Sequence, residues 1–280
     1  MKKSLVLSII ACICFLISPN LLAQTNTSRP PLKLGAKVGF SLGKLSAAND
    51  NIYTQDYESV SGVDFGITLE FPSDEHITIQ TEINYTQRGG LRKGLQPVAA
   101  NELSDQLNQF LPFIGMPKVT DENPLYADFE SESDLNYIEI PVLVKFTWGD
   151  NFRFYTEVGP YIGLLLSANQ ITAGTSQFYF DSNASNPVVV PNPTGQPPFV
   201  GLPPQSLDQE TGIRDDLRRV NFGGSVGLGV IQKLNEQSDI YLSARASYGF
   251  NAIQFREVFG KSHIGGVIFS MGYTFKIDRK

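Results

Sequence analysis

The chain has 280 residues, with 22 lysines and arginines against 28 aspartates and glutamates and a formal net charge of −6 at pH 7. This acidic balance argues against a nucleic-acid partner, because binding to a phosphate backbone depends on an excess of positive charge. Both cysteines, Cys12 and Cys14, lie in the first apolar segment. Once that segment is removed, no thiol remains for a disulfide, a metal site or a nucleophile.

The first residues have the pattern of a secretory signal peptide. Basic residues at 1–3 precede a nearly continuous apolar run at 5–17, and Ala23 closes a segment that ends with small and apolar residues. The run is shorter than the roughly 20 residues of a membrane-spanning helix, which disfavours an anchor. We therefore predict a signal peptide at 1–23 and a single exported domain at 24–280.

Segments that alternate apolar and polar residues with period two follow along the rest of the chain. In the first, 32–43, aliphatic and aromatic residues occupy one face of a strand, and Gly, Lys and Ser occupy the other. The same alternation predicts a strand in each of the segments 32–43, 63–71, 77–88, 135–148, 152–166, 220–233, 240–250 and 267–275.

The connections between these strands alternate between short and long. Ordinary turn residues fill the short ones, at 72–75, 149–151 and 235–238. Two of the others are very long, at about 89–134 and 167–218. Because transmembrane barrels have short periplasmic turns and long extracellular loops, this rhythm predicts an all-β, eight-stranded antiparallel up-and-down transmembrane β-barrel. We expect a short helix within 99–113, and a loop at 167–218 that is either disordered or held by partners.

Two predicted strands contain proline. Pro141 removes a donor from the ladder, so it predicts a local irregularity near the extracellular half of the fourth strand. Gly159 and Pro160 predict a bulge in the fifth strand.

The apolar face of these strands either covers a soluble core or contacts lipid. A small soluble barrel has apolar side chains inside and polar ones outside, whereas a membrane barrel reverses this order. Aromatic residues near strand ends, such as Trp148, Phe152 and Phe275, are typical of the interfacial girdle of a membrane barrel. We therefore predict an outer-membrane location with lipid against the apolar face. The alternative is a soluble periplasmic ligand-binding barrel.

The polar face carries charges of both signs. Eight strands enclose an interior just wide enough for side chains, so we expect these charges to pair across the lumen and fill it. An open porin-like channel is not expected. The predicted interior pairs involve Arg88, Arg153, Arg245, Glu82, Glu139 and Glu157.

Three stretches resemble the PorT-like outer-membrane β-barrel family, small barrels of the porin family. They are "YIEIPVLVKF" at 137–146, "FYTEVGPYIG" at 154–163 and "LGAKVGF" at 34–40. The resemblance covers most of the chain after the signal peptide. It implies an eight-stranded barrel in the outer membrane of a Gram-negative cell envelope, and the member that gives the family its name belongs to a protein-secretion system.

Few residues are candidates for chemistry. His76 lies beside the first tight turn, and His263 is the rim histidine that could act as a base, but its neighbour Ser262 points to the opposite face of a strand. The glycine-rich segment 223–227 lies within a strand and lacks the spacing of a nucleophile elbow. Acidic residues at 121–134 could hold calcium but lack the ordered ligand spacing of a known calcium loop. We predict no catalytic residue, no cofactor and no metal site.

The sequence therefore favours a non-catalytic role in structure, adhesion or envelope assembly, carried by the extracellular loops. The partners that we expect are outer-membrane lipid and a protein that contacts the loops, and the chain is expected to be a monomer. One alternative is a lipid-modifying enzyme at the outer-membrane rim that uses His263. The other is the soluble periplasmic barrel.

Overall fold

Long strands with alternating side chains form one sheet that closes on itself. The structure is a computed structural model that describes residues 31–100, 102–192 and 194–277. The predicted signal peptide at 1–23 lies outside the described residues, as do both cysteines. The barrel strands are β1 Leu32–Ala47, β2 Val60–Pro72, β3 Ile77–Arg92, β4 Glu130–Trp148, β5 Phe152–Ala173, β6 Val220–Lys233, β7 Ser238–Gly249 and β8 Ser262–Ile277.

Each barrel strand pairs antiparallel with the next one along the chain. The ring closes where β8 pairs with β1, from Leu32 opposite Ile277 to Ala47 opposite Ser262. Closure leaves the ring without an open sheet edge, so that its backbone donors and acceptors pair with neighbouring strands, which lipid cannot do for them. The predicted eight-stranded antiparallel up-and-down barrel is confirmed.

Short turns lie at one end of the barrel and long connections at the other. The turns are residues 73–76, 149–151 and 234–237, and the long connections are 48–59, 93–129, 174–219 and 250–261. The predicted long loops, 89–134 and 167–218, were too wide. Both flanking strands continue into them, so that Gly89 lies opposite Asp134 and Glu130 lies opposite Ala173. The extension at 130–134 is polar on both faces, and its sequence therefore lacks the alternation that marks the rest of the strand.

Side-chain hydrogen bonds and glycine stabilise the short turns, beginning with the turn after β2. The Asp74 carboxylate accepts hydrogen bonds from the backbone amides of His76 and Ile77, at 2.8 and 2.7 Å. These bonds hold the pKa of Asp74 below its usual range. In the next turn, Gly149 has a φ of 98°, which few residues other than glycine adopt.

The two faces of the barrel wall differ sharply in exposure. Val38 on the outer face of β1 is 59% exposed, whereas its neighbour Lys37 is 6% exposed. The same contrast recurs on the other strands, with apolar side chains outside and charged ones inside. The prediction that the apolar face contacts lipid is confirmed in its geometry, and a soluble barrel with an apolar interior is excluded.

The two proline segments behave differently. Pairing between β3 and β4 is interrupted at Pro141, where Thr81 instead donates its hydroxyl to the Pro141 carbonyl at 3.1 Å. The register between β4 and β5 shifts at Asn136 and Tyr137, so the predicted irregularity is present in the extracellular half of β4. The bulge predicted at Gly159 and Pro160 is wrong. The pairing with β6 runs through both residues in one register, and the pairing with β4 is interrupted at them without a shift of register.

The two longest connections carry structure of their own. The first contains the paired strands Leu95–Val98 and Leu125–Asp128, the helix α1 Glu102–Leu107 and the 3₁₀ helix Leu111–Ile114. The helix within 99–113 was predicted and is confirmed. The second contains the pairs Val189–Pro191 with Phe199–Gly201 and Thr175–Ser176 with Gln205–Ser206, the strand Gln209–Gly212 paired to β5, and the 3₁₀ helix Arg214–Asp216. A further 3₁₀ helix, Glu257–Phe259, precedes β8. No helix in the described part of the chain is long and apolar enough to span a bilayer.

We predict that charge on the outer wall is costly in proportion to its depth. Leu228 lies in the middle of β6 and is 62% exposed, and Leu234 lies in the periplasmic turn and is 55% exposed. Leu228→Arg should lower the free energy of unfolding by about 2–4 kcal/mol and Leu234→Arg by about 0–1 kcal/mol, because the cost of arginine falls towards the interface. Urea unfolding in lipid vesicles measures both, and equal small effects would contradict a lipid-facing wall.

Candidate functional site

An arginine crosses the centre of the barrel. Arg245 on β7 donates from both terminal nitrogens to the two carboxylate oxygens of Glu82 on β3, each at 2.7 Å, and from Nε to Glu157 on β5 at 2.7 Å. Strands β7 and β3 lie on opposite sides of the ring. Arg245 therefore spans the lumen and links three strands that do not pair with one another.

A lysine completes this central cluster. Lys37 on β1 places its ammonium 2.9 Å from Asp64 and 3.2 Å from Glu82. Asn84 also donates to Glu82 at 2.7 Å, and Thr86 donates to Asp64 at 2.7 Å. Lys37, Glu82, Glu157 and Arg245 come from β1, β3, β5 and β7, which are every second strand of the ring, and Asp64 joins them from β2.

The periplasmic half of the interior is closed by charges and aromatic rings. Lys145 lies 2.6 Å from Glu70, and its ammonium stands 4.6 Å from the centre of the Tyr155 ring and 5.6 Å from that of Tyr241. These rings fit because the strands facing them carry glycine. A Cβ at Gly229 would collide with Tyr155, and one at Gly272 would collide with Tyr241. Nearer the turns, Asp239 accepts from Lys33 and Arg153, each at 2.7 Å.

The extracellular half is closed by one further ion pair and an apolar plug. Arg88 donates from Nη2 to one carboxylate oxygen of Glu139 at 2.9 Å, and its Nε lies 2.9 Å from the other oxygen. The Tyr161 hydroxyl donates to Asn221 at 2.8 Å. Above them, the mouth is filled by a buried cluster of Leu45, Leu135, Tyr137, Leu165, Ala168, Leu217, Ile253 and Ile264.

The described interior cations and anions are matched, and they comprise Lys33, Lys37, Arg88, Lys145, Arg153, Arg245, Asp64, Glu70, Glu82, Glu139, Glu157 and Asp239. All six residues predicted to pair inside the barrel do so. The other six were not among the predicted pairs, although they lie on the inward side of their strands: Lys33, Lys37, Lys145, Asp64, Glu70 and Asp239. Side chains and ion pairs fill the interior from end to end, so this geometry provides a plug rather than an open pore.

The long loops form a second core outside the membrane, which we call the cap. The described members of its buried cluster come from 93–129 and 174–219 and are Leu107, Leu111, Val119, Leu125, Ala127, Phe129, Phe178 and Val188. The two loops are also joined through the backbone, because Tyr126 and Tyr179 exchange two hydrogen bonds of 2.8 Å. The alternative that 167–218 is a disordered loop is therefore wrong for its described residues, and the alternative that partners hold it stays a prediction. Sequence alone could not show that its scattered apolar residues meet those of the other loop.

Asp121 ties the cap to the two shorter loops. Its carboxylate accepts from Arg256 at 2.6 Å and from the Ala100 amide at 3.0 Å, and its backbone carbonyl accepts from the Tyr53 hydroxyl at 2.9 Å. Burial, followed by the charge of Asp121, raises the pKa of the Tyr53 hydroxyl above its ordinary value. This hydroxyl therefore remains a hydrogen-bond donor at neutral pH. Three extracellular loops meet at this point.

The candidate catalytic residues do not assemble into a site. His263 stacks on Tyr248 with ring centres 5.5 Å apart, and its Nδ1 donates to the Gly249 carbonyl at 2.7 Å. Ser262 is buried, whereas His263 lies on the outer side of β8, so the two do not form a dyad. His76 contacts the Thr147 carbonyl at 3.1 Å beside the periplasmic turn.

The remaining motifs have structural places. The glycines of 223–227 lie within β6. The acidic residues of 121–134 are dispersed, with Asp121 bound to Arg256 and Glu130 3.3 Å from Lys93. Within the described residues, no group of three or more His, Cys, Asp or Glu side chains is arranged to hold a metal ion.

A closed strand ring with an apolar outer wall and an ion-paired interior defines a small transmembrane β-barrel. The chain belongs to the family described as outer membrane protein beta-barrel domain, whose model matches residues 22–254. Its location is accordingly the outer membrane. This match does not distinguish the PorT-like family from other outer-membrane barrels. A comparison with curated proteins finds no match.

Solved structures of outer-membrane proteins are similar over most of this chain. OprG from Pseudomonas aeruginosa is 7% identical, with 91% of this chain and 100% of that chain covered and a TM-score of 0.40. Neisserial surface protein A is 11% identical, with 90% and 100% covered and a TM-score of 0.39. Ail of Yersinia pestis is 10% identical, with 89% and 100% covered and a TM-score of 0.37.

We predict that the central cluster is the costliest polar site to break. Arg245→Leu leaves Glu157 buried without a cation and Glu82 with Lys37 alone, and it should lower the free energy of unfolding by about 3–5 kcal/mol. Arg219→Leu is the control, because its pair with Asp215 at 3.3 Å is exposed and should contribute less than about 1 kcal/mol. Urea unfolding in vesicles compares them, and equal effects would show that the cluster adds no more than a surface pair.

We also predict that the protein in a planar bilayer shows no large stable conductance, because its interior is filled by side chains. Single-channel recording at varied voltage is the measurement. A stable current of porin size would contradict the filled interior.

Proposed function

We propose that the protein is a non-catalytic outer-membrane barrel whose cap is a preformed surface for contact with a protein partner. The role would be adhesion, structural support or envelope assembly, with the chain acting as a monomer. The observation that carries this proposal is the buried core shared by the two long loops. A loop that is already ordered loses less conformational entropy when it binds, which favours affinity.

The surface of the cap offers both apolar and charged contacts. Phe113, at the tip of the 3₁₀ helix Leu111–Ile114, is 88% exposed, and Phe255 on a neighbouring loop is also exposed. Exposed carboxylates, including Glu122, Glu210 and Asp215, surround the cap. Aromatic residues anchor many interfaces, and charges at the rim direct association. This chemistry favours a partner with an apolar pocket bordered by basic side chains.

The surroundings of His263 disfavour the rim-enzyme alternative. A general base needs a nucleophile within hydrogen-bond reach, but the described contacts of the His263 ring are the Tyr248 ring and the Gly249 carbonyl. The PorT-like segments at 137–146 and 154–163 agree with a role in envelope assembly. Both segments lie in the barrel wall, so they do not identify the partner.

The proposal is tested by crosslinking on intact cells. A photoreactive side chain is placed at Lys118 in the cap, and the control places it at Leu234 in the periplasmic turn. We expect an adduct of defined mass from the cap position and a different pattern from the control. Phe113→Ser should lower the yield of the cap adduct on the order of tenfold, the cost of losing one aromatic anchor.

Two results would contradict the proposal. One is a cap position that yields no protein adduct although the barrel is present in the outer membrane. The other is hydrolysis or acyl transfer on outer-membrane lipid that the purified protein performs and that His263→Ala abolishes. The second result would support the rim enzyme.

A further inference from the structure

Short extended segments of the two long loops pair in series and form a small sheet across the cap, which we call the cap sheet. Tyr126 and Tyr179 join the loops through two hydrogen bonds, and Tyr179 also pairs with Pro187. In order across the sheet, the segments are Leu95–Val98, Leu125–Asp128, 178–180, 186–191 and Phe199–Gly201. The cap sheet therefore has one edge at Leu95–Val98 and the other at Phe199–Gly201.

The edge at Leu95–Val98 is closed to a further strand. Tyr126 uses its own amide and carbonyl on Tyr179, so Pro97, which lies opposite Tyr126, faces outward. Proline has no amide hydrogen to offer, and both Pro97 and its neighbour Gln96 are buried. Proline and burial are two of the ways in which proteins protect a sheet edge.

The hydrogen bonds at the other edge show which backbone groups face outward. The Leu202 amide donates to the Val188 carbonyl at 2.8 Å, and the Asn192 amide donates to the Pro198 carbonyl at 3.0 Å. Bonded and non-bonded residues alternate along an antiparallel pair. Val200, midway between Pro198 and Leu202, therefore faces the neighbouring strand, and the residues on either side of it face away.

Phe199 and Gly201 are those outward residues. Among the described residues, no other backbone group bonds to their amides or carbonyls. Both residues are exposed, and a Cβ added at Gly201 would meet no atom within 4 Å. This edge of the cap sheet is therefore open.

The open edge also lacks the charges that usually protect a strand edge. The segment 182–207 contains no Asp, Glu, Lys, Arg or His. By contrast, the strand Gln209–Gly212, which ends the sheet beside β5, carries Glu210 and follows Asp208. Charged side chains on an edge hinder the addition of another strand. Of these two edges in one loop, only Phe199–Gly201 is without them.

The outward groups match an extended polypeptide. Phe199 and Gly201 each present one donor and one acceptor, and two positions along a strand span about 7 Å. Another strand presents its donors and acceptors with the same period. An uncharged edge favours an uncharged segment, because a charge placed against it would lose water without gaining a partner. Pro198 and Pro203 bound the edge on its two sides.

We propose that the edge at Phe199–Gly201 binds an extended, uncharged segment of a partner protein, which adds a strand to the cap sheet. Main-chain hydrogen bonds supply affinity, and the side chains of the segment beside the Phe199 ring supply selectivity. A second copy of this chain, paired through the same edge, is the rival occupant. The proposal rests on the proposed function, because it specifies how the cap recognises its protein partner.

Substitutions at Gly201 separate the outward donor from the side chain. Gly201→Pro removes the outward amide hydrogen but none of the bonds between Val200 and Val190, and an edge strand tolerates proline when its nitrogen faces outward. Gly201→Ala is the matched control, because it keeps the hydrogen and adds a methyl group where the structure has room. Gly201→Lys adds a protecting charge and carries the test if the proline variant does not fold.

The first measurement uses a peptide probe with the full-length barrel in detergent. The probe is a capped peptide of about eight residues that alternates threonine and valine, both of which favour strands. Hydrogen exchange at the Phe199 and Gly201 amides should slow on the order of tenfold when the peptide is added, the effect of one added hydrogen bond. Exchange at Val200, which is already bonded, should not change.

The variants and a modified peptide provide the controls. Gly201→Pro and Gly201→Lys should abolish the slowing at Phe199, and Gly201→Ala should retain it. The same peptide with a methyl group on every second amide nitrogen should have no effect, because it cannot donate to the edge.

The second measurement is crosslinking on intact cells from a photoreactive side chain at Gln205, which follows the edge. Its protein adduct should form in the wild type and in Gly201→Ala, and it should be lost in Gly201→Pro. The adduct from Lys118 should be lost with it, since both positions would report the same partner.

Three results would overturn the proposal. One is a peptide that leaves exchange at Phe199 and Gly201 unchanged. Another is a Lys118 adduct that Gly201→Pro does not reduce, which would leave the proposed function standing with a partner that does not use this edge. The third is an adduct between two copies of the chain that Gly201→Pro abolishes. A Lys118 position without any adduct, while the peptide still protects the edge, would contradict the proposed function alone.

Discussion

The ion pairs of Arg245 with Glu82 and Glu157 hold the barrel together through its centre. Because lipid surrounds the barrel, apolar side chains are stable on its outer face. The polar side chains of the strands therefore lie in the lumen. Buried charges are tolerated there only with partners. Arg245 supplies one cation to two carboxylates from two other strands of the ring, and Lys37 supplies a second cation to Glu82. The other interior cations likewise lie beside a carboxylate from a different strand.

Filling the lumen with ion pairs has a consequence for function. Tyr155 and Tyr241 close one half around Lys145, and an apolar plug closes the other, so transport through the centre is disfavoured. What remains available to partners is the outer wall and the extracellular end. The cap provides a surface at that end with its own core.

The barrel could be predicted from the sequence because its defining features, the alternation along each strand and the length of each turn, depend on residues that are close in the chain. Alternation along a strand assigned Lys37 and Arg245 to one face and Val38 and Ala244 to the other without any knowledge of their neighbours. The choice between inside and outside followed from turn lengths and aromatic positions. The strand extension at 130–134 was not predicted because both of its faces are polar. The bulge predicted at Gly159 and Pro160 failed because glycine and proline permit such an irregularity without requiring it.

The cap could not be predicted in the same way. Its core brings Leu111 against residues such as Phe178, which lie far apart in the chain and follow no period. The tie between Asp121 and Arg256 likewise depends on which loops meet. The pairing of Arg245 with Glu82 and Glu157 could be predicted only in part. Sequence predicted that these charges face inward, but which ones meet depends on the register and the ring order of the strands.

The most direct test of this account is a cysteine-accessibility measurement along β6 and β7, in a chain whose Cys12 and Cys14 are replaced by serine. Single substitutions Ser225→Cys and Ser243→Cys lie on the inner face, and Val226→Cys and Ala244→Cys lie on the outer face. With the barrel folded in vesicles, an apolar thiol reagent should modify the outer positions and spare the inner ones until the protein is unfolded. Modification of the inner positions alone would contradict the account, because it would mean that the charged face is outside.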